Sequence, residues 1–311
     1  MAILNLTPDS FSDGGRYVDP LRARARAEEL VAAGADILDL GAESTRPGAQ
    51  PLTADEEWRR LAPVVEPLGE AGLATVLSVD TRHVEVAQRA LQAGVRLLNL
   101  PFPKHLLAPP HADAADTDSL SRERRRQALQ PILNAFDAVV FMHARGTPSN
   151  MRELTDYGGN LCQTVVDELR QTVASLMMGD GEAPHLSTTL AQGLEPPPAK
   201  SPPSSQPWAQ RLIFDPGLGF AKTPEQSVQL LASVRWLRRV LGGKLLIGAS
   251  RKSMLGAITG LPTSERLVPS AVAAALAAYQ GADVVRVHDV PETVAALKLT
   301  AALRIAAGEG R

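Results

Sequence analysis

Eight short apolar runs divide the chain, and each leads to a residue able to do chemistry. Ala2-Ile3-Leu4 leads to Asn5, Ile37-Leu38-Asp39-Leu40 to Gly41-Ala42-Glu43, and Thr75-Val76-Leu77-Ser78-Val79 to Asp80. Arg96-Leu97-Leu98 leads to Asn99, Ala138-Val139-Val140-Phe141-Met142 to His143, and Leu212-Ile213-Phe214 to Asp215. Leu245-Leu246-Ile247 leads to Gly248, just before Ser250-Arg251-Lys252, and Val284-Val285 leads to Arg286. Runs of this length suit strands buried on both faces of a parallel sheet, and in a (β/α)8 barrel the reactive groups stand at the C-terminal strand ends. Helical segments alternate with the runs. Leu21 to Ala33 stops at Gly34, Val84 to Ala93 at Gly94, and Glu265 to Gln280 at Gly281, each glycine standing directly before a new strand. Thr53 to Glu56 has capping-box spacing and opens another helix. This strand, helix, glycine, strand cadence predicts an α/β fold, a (β/α)8 TIM barrel whose active site lies at the C-terminal strand ends, rather than an open doubly wound sheet.

Two stretches interrupt the cadence. Residues 101–118 lengthen the loop after the fourth strand, and a charged helix around Arg122 to Arg126 follows. Residues 179–208 contain Glu-Pro-Pro-Pro-Ala-Lys-Ser-Pro-Pro-Ser-Ser-Gln-Pro, too poor in apolar side chains to offset its own ordering entropy; disorder is expected there. Because that insertion precedes a strand, it should leave from the face opposite the site. With these two insertions set aside, the 311 residues fit one domain, since a single barrel takes roughly 250.

Composition narrows the function classes. A net charge of −2 gives no general attraction to nucleic acid or anionic membranes, so any anion site must be local. No apolar run approaches the ~18 residues that span a bilayer, and Met1 leads straight into the first strand, which leaves no room for a leader. The single cysteine, Cys162, forms no internal disulfide and is expected as a buried structural thiol, in keeping with a reducing, cytoplasmic setting.

The strand ends carry the candidate chemistry. Asn5 opens a polar loop running to Gly15 and offers an amide oxygen to a hard cation. Arg46, held between Thr45 and Pro47-Gly48, suits bidentate recognition of a carboxylate or phosphate. Asp80, Asn99 and Asp215 form a ring of carboxylates and amides fitted to a heterocycle with an amidine-like edge. Ser250-Arg251-Lys252-Ser253 and Arg286-Val287-His288 place cations after the last two strands, where barrels commonly bind phosphate. Nothing shows the His-x-His or Glu-x-x-His spacing of a zinc site.

Taken together, Asn5 to Gly15, Glu43 to Gly48, Ser78-Val79-Asp80-Thr81, Met142-His143 with Gly146-Thr147-Pro148, Asp215 to Phe220, Ser250 to Ser253 and Arg286 to Val290 resemble the dihydropteroate synthase family, a group of pterin-binding TIM barrels. The resemblance covers nearly the whole chain outside the two insertions. It implies condensation of (7,8-dihydropterin-6-yl)methyl diphosphate with 4-aminobenzoate, with release of diphosphate, in tetrahydrofolate biosynthesis. It further implies that Asp80, Asn99, Asp215 and Lys252 hold the pterin, with Asp80, Asp215 and Lys252 at the reacting centre. Arg46, Arg286 and His288 would hold the diphosphate, Asn5 its Mg²⁺, and Thr45, Pro47, Phe220 and Ser253 the aminobenzoate. A homodimer and sulfonamide sensitivity are family expectations, as is membership of a fused folate-pathway polypeptide of fungal type, for which a mitochondrial location would apply.

One position departs from the family pattern. Asn-Asp usually follows the fourth strand, whereas this chain has Asn99-Leu100. Two other readings stay open: an impaired pterin-binding subunit, because of that position, and a pterin-binding methyltransferase barrel, which would share the heterocycle site.

Overall fold

The structure, a computed structural model, describes residues 1–7, 19–43, 51–103, 119–177 and 208–308. The Pro/Ser-rich stretch up to residue 207, most of the loop at 101–118, and Thr45, Arg46 and Pro47 lie outside the described residues. Eight parallel strands pair in chain order: β1 (Ala2–Asn5), β2 (Ile37–Gly41), β3 (Val76–Asp80), β4 (Leu97–Leu100), β5 (Ala138–Met142), β6 (Leu212–Asp215), β7 (Lys244–Ile247) and β8 (Val284–Val285). A parallel bridge from Ala2 to Val287 joins the last strand to the first, with Ile3 N–H donating to Val287 O at 2.9 Å. The sheet closes on itself as an α/β barrel.

Helices α1 (Pro20–Ala32), α2 (Ala54–Glu70), α3 (Val84–Gln92), α4 (Ser119–Ala135) and α5 (Leu161–Met177) follow the first five strands. A short α6 (Trp208–Arg211) leads into β6; α7 (Pro224–Ala232) and α8 (Val234–Leu241) follow it. The chain continues through α9 (Ser253–Thr259), α10 (Leu267–Tyr279) and α11 (Val290–Ala306). The capping box expected at Thr53 and Glu56 forms, and a second joins Thr223 to Gln226. The helix expected from Glu265 starts later, at Leu267, because Thr263–Glu265 is a separate 3₁₀ turn.

Alternation along the strands sorts their residues into two cores. Leu38, Leu40, Val79, Leu98, Val139, Phe141, Phe214, Leu245 and Val285 point outward and join the helix layer. Met1, Leu97, Val140, Ile213 and Leu246 point inward and fill the barrel floor. Above that floor the same inward face carries Asp39, Ser78, Asp80, Asn99, Asp215 and Arg286. One strand therefore serves stability and chemistry on alternate residues.

Two expectations change on this frame. Cys162 is half-buried rather than buried, because it lies on the flank of α5 beside the start of α8, with its thiol 3.4 Å from Ser233 Oγ. Leu100 is 2% exposed and packs in the outer core, on the face opposite Asn99. The departure at that position therefore leaves the inner ring untouched. We expect Leu100→Asp to lower stability by roughly 2–4 kcal/mol, since it strands a carboxylate among apolar side chains. Urea melts would show this, while pterin affinity in the folded fraction stays unchanged.

Candidate active site

Asp39, on the inward face of β2, is 0% exposed. A carboxylate this deep must be satisfied by donors, and three converge on it. Ser78 Oγ donates to Oδ1 at 2.5 Å, while Asn99 Nδ2 and Arg286 Nε donate to Oδ2 at 2.9 and 2.6 Å. Arg286 reaches on with Nη2 to Asp80 Oδ2 at 2.8 Å and so bridges β8 to both β2 and β3. Burial opposes the charge on Arg286, but Asp39 and Asp80 outweigh it and hold the guanidinium above its usual range. Neither pair uses Nη1.

Register explains why these groups meet. Asn5 pairs with Gly41, Gly41 with Asp80, and Asp80 with Asn99, so one row of the barrel carries all four. Gly41 leaves Asp80 room, because a Cβ there would sit 3.3 Å from the Cβ of Asp80. Burial pushes the Asp80 carboxyl up to about 7; Arg286 works against this, and Asp39, Glu43 and Asp215 reinforce it. The ion pair with Arg286 favours the charged form of Asp80.

Across the mouth, Asp215 ends β6 and accepts Gly217 N–H at 2.7 Å. Gly217 takes φ +67°, and a Cβ there would lie 1.9 Å from His143 O, so only glycine lets this turn pass. Burial raises the Asp215 pKa, with Lys252 the largest opposing influence. Lys252, immediately before α9, donates to Leu218 O, and its ammonium lies 4.8 Å from the Phe220 ring centre. Burial lowers its pKa to about 8, with Asp215 opposing. Phe220 meets Phe102 edge-on at 5.9 Å.

The predicted residues thus divide. Asp80, Asn99, Asp215, Lys252, Arg286 and Phe220 line one mouth. His288 sits beside them, its Nδ1 3.0 Å from Ser250 Oγ. Ser253 is exposed at the first residue of α9. Arg251, part of the expected anion wall, is instead spent on Asp289. Arg286, expected at the diphosphate, is spent on the two carboxylates of the inner ring. Asp39, Ser78 and Lys222 were not singled out. The signal for Asp39 was a charge on the inward parity of an otherwise apolar strand, which a buried parallel strand tolerates only with partners.

A second acidic group lies beneath the β2 end. Ligand atoms of Glu43, Glu57 and His83 lie within 4.8 Å of one another, but their contacts do not suit a metal. Arg82 grips Glu43 at 2.9 and 3.0 Å. His83 Nε2 lies 3.1 Å from Leu52 O, which can only accept, so that nitrogen carries a proton. Asn5, half-exposed on the rim and making no side-chain hydrogen bond among the described residues, is the better hard-oxygen donor.

The match to known proteins covers this whole frame. The pterin binding enzyme family model matches residues 1–179 and 208–288, leaving out the Pro/Ser-rich stretch. The chain belongs to the dihydropteroate synthase family. The dihydropteroate synthase of Synechocystis sp. is 35% identical over 97% of this chain and 89% of its own length. A Halobacterium salinarum protein, named a probable bifunctional folylpolyglutamate synthase/dihydropteroate synthase, is 38% identical over 99% of this chain and 32% of its longer sequence. The solved structure of the Xanthomonas albilineans dihydropteroate synthase with 4-aminobenzoic acid superposes with a TM-score of 0.74 at 33% identity, covering 98% of this chain and 92% of that one. In this family member, burial drives the Glu57 carboxyl up to about 8, while Thr81 Oγ1, donating at 2.7 Å, works against the shift. The folded chain thus holds that proton more tightly than the unfolded chain. Stability should be greatest below the ordinary glutamate pKa and decline as pH rises towards 8, with a slope of at most about 1.4 kcal/mol per pH unit. Glu57→Gln should flatten that decline in urea melts taken between pH 5 and 8.

Proposed function

We infer that the chain joins (7,8-dihydropterin-6-yl)methyl diphosphate to 4-aminobenzoate, giving 7,8-dihydropteroate and diphosphate. The observation that carries this reading is the convergence of Asp80, Asn99, Asp215 and Lys252 on one barrel mouth. A pterin presents ring N–H and exocyclic amine donors side by side, with a carbonyl acceptor beside them. Carboxylates meet the donors and an amide or ammonium meets the carbonyl. The polar ring rests on an apolar floor that excludes water, which strengthens each of these contacts.

In the reaction the bond from the methylene carbon to the diphosphate oxygen breaks, and its electron pair leaves with the diphosphate. The arylamine nitrogen forms the new bond and gives up a proton. Asp80 and Asp215 stand where positive charge grows on the pterin, and this fixed field lowers the barrier without reorganisation. Lys252 bridges the two subsites, reaching the Leu218 carbonyl and the Phe220 ring together. Positioning does the rest, so no side-chain nucleophile is needed. His288 serves the leaving group, joined by Arg46 and by Arg286 through its unused nitrogen. Thr45, Pro47, Phe220 and Ser253 shape the aminobenzoate seat. Asn5 would supply a protein oxygen to Mg²⁺, which when bound neutralises charge on the diphosphate.

The reading as a silent pterin-binding subunit loses support, because Leu100 faces away from the site. Among the described residues no helix is long and apolar enough to cross a membrane, and a cytosolic setting fits the lone half-buried thiol. We also propose a homodimer. Val268, Val272, Leu276 and Tyr279 on α10 and Leu299 and Leu303 on the adjoining α11 leave a broad apolar face exposed, which a second copy of the chain would cover.

A coupled assay should register diphosphate release only when both substrates are present, and a sulfonamide should compete with 4-aminobenzoate. Asp80→Asn and Lys252→Ala should each cut turnover by a factor of roughly 10³ in a folded protein, and near-normal rates in either would refute the assignment. Leu276→Glu should shift the sedimentation of the protein from dimer to monomer.

A further inference from the structure

The reaction as described leaves a buried lysine unused. Lys222 is 8% exposed, lies two residues beyond Phe220, and contacts neither the inner ring nor solvent in any significant degree. Its ammonium donates to Phe220 O at 3.0 Å and to His143 Nδ1 at 2.9 Å. Because Nδ1 accepts, the imidazole carries its proton on Nε2, which donates to Glu168 Oε2 at 3.1 Å. Glu168, on α5, is fixed in turn by Arg145, which donates to its Oε1 at 3.0 Å. Lysine, imidazole and carboxylate thus form one line running from the β6 loop to the helix layer, with every donor facing an acceptor.

The segment held by this line is strained. Ala221, between Phe220 and Lys222, takes φ +50°, a left-handed conformation that is unfavourable for a non-glycine residue. Tyr157 Oη donates to the Ala221 carbonyl at 3.0 Å, and the Tyr157 ring is capped by the Arg145 guanidinium 3.9 Å from its centre. Two successive carbonyls, those of Phe220 and Ala221, are therefore pinned, the first by Lys222 and the second by Tyr157 from the loop before α5. Those pins fix the backbone from which the Phe220 ring projects. Burial lowers the Lys222 pKa to about 7, with Asp215 opposing.

We propose that Lys222, seated on His143 and Glu168, is a positioning residue that fixes the Phe220 ring as the wall of the arylamine seat. It acts on the second substrate through Phe220 and touches neither substrate itself. The proposal rests on the synthase reading above, which places Phe220 at that seat. It separates the two substrates: the pterin contacts come from the strand ends β3, β4 and β6 and from Lys252, none of which is held by Lys222.

Steady-state kinetics of Lys222→Met, which keeps length and burial but removes the donors, would test the idea. The KM for 4-aminobenzoate should rise about 5- to 20-fold, while the KM for the pterin diphosphate and kcat each stay within about threefold. Glu168→Gln, which loosens the line at its far end, should raise the same KM by a smaller factor. Lys222→Arg, retaining a cation and donors, should recover part of the loss. Thermal melting identifies any variant that does not fold, and Glu168→Gln then carries the test. An unchanged KM for 4-aminobenzoate in folded variants of an active enzyme overturns the proposal alone, as does an equal rise in both KM values. If the unmodified chain shows no 4-aminobenzoate-dependent turnover, the synthase reading falls and this proposal falls with it.

Discussion

A carboxylate without access to water dictates the layout of this barrel. Asp39 is fully enclosed, and its cost falls only because Ser78, Asn99 and Arg286 all donate to it. Each donor comes from a different strand, so β2, β3, β4 and β8 must hold a common register to satisfy one side chain. Removing any donor leaves a lone pair unpaired at the bottom of the site. The same arginine that satisfies Asp39 sets the charge of Asp80, the residue placed nearest the chemistry. Architecture and electrostatics are thereby tied through a single guanidinium.

The layering follows. Below Asp39 the inward face is wholly apolar, with Met1, Leu97, Val140, Ile213 and Leu246 forming a dry floor. Above it the face is almost wholly polar. An apolar floor under a charged ring works against charge, which is the direction seen at Asp80, Asp215 and Lys252.

Much of this was legible in the sequence. Short apolar runs ending on polar residues gave the strand count and the rim, because parallel strands buried on both faces have no other way to read. Asp80, Asn99, Asp215 and Arg286 were found since strand ends are where polar groups stand out. Asp39 was harder to see. It sits mid-strand, and its meaning depends on partners 39, 60 and 247 residues away. Leu100 misled for a related reason: adjacency to Asn99 in the chain suggests a shared role, whereas strand parity sends neighbours to opposite faces. The role of Lys222 depends on His143 and Glu168, which no local pattern links to it.

The bridge made by Arg286 also bears on how the chain reaches its native state. The arginine lies on the last strand and its two carboxylates on the second and third, a separation of 247 residues for Asp39 and 206 for Asp80. While the chain is being made, those carboxylates are produced long before the cation that neutralises them. A partly synthesised barrel would have to bury two like charges facing each other, which is unfavourable, so its early strands should stay open to water. Closing the ring thus works as a late checkpoint, at which the C-terminal strand licenses the N-terminal ones to lose their hydration.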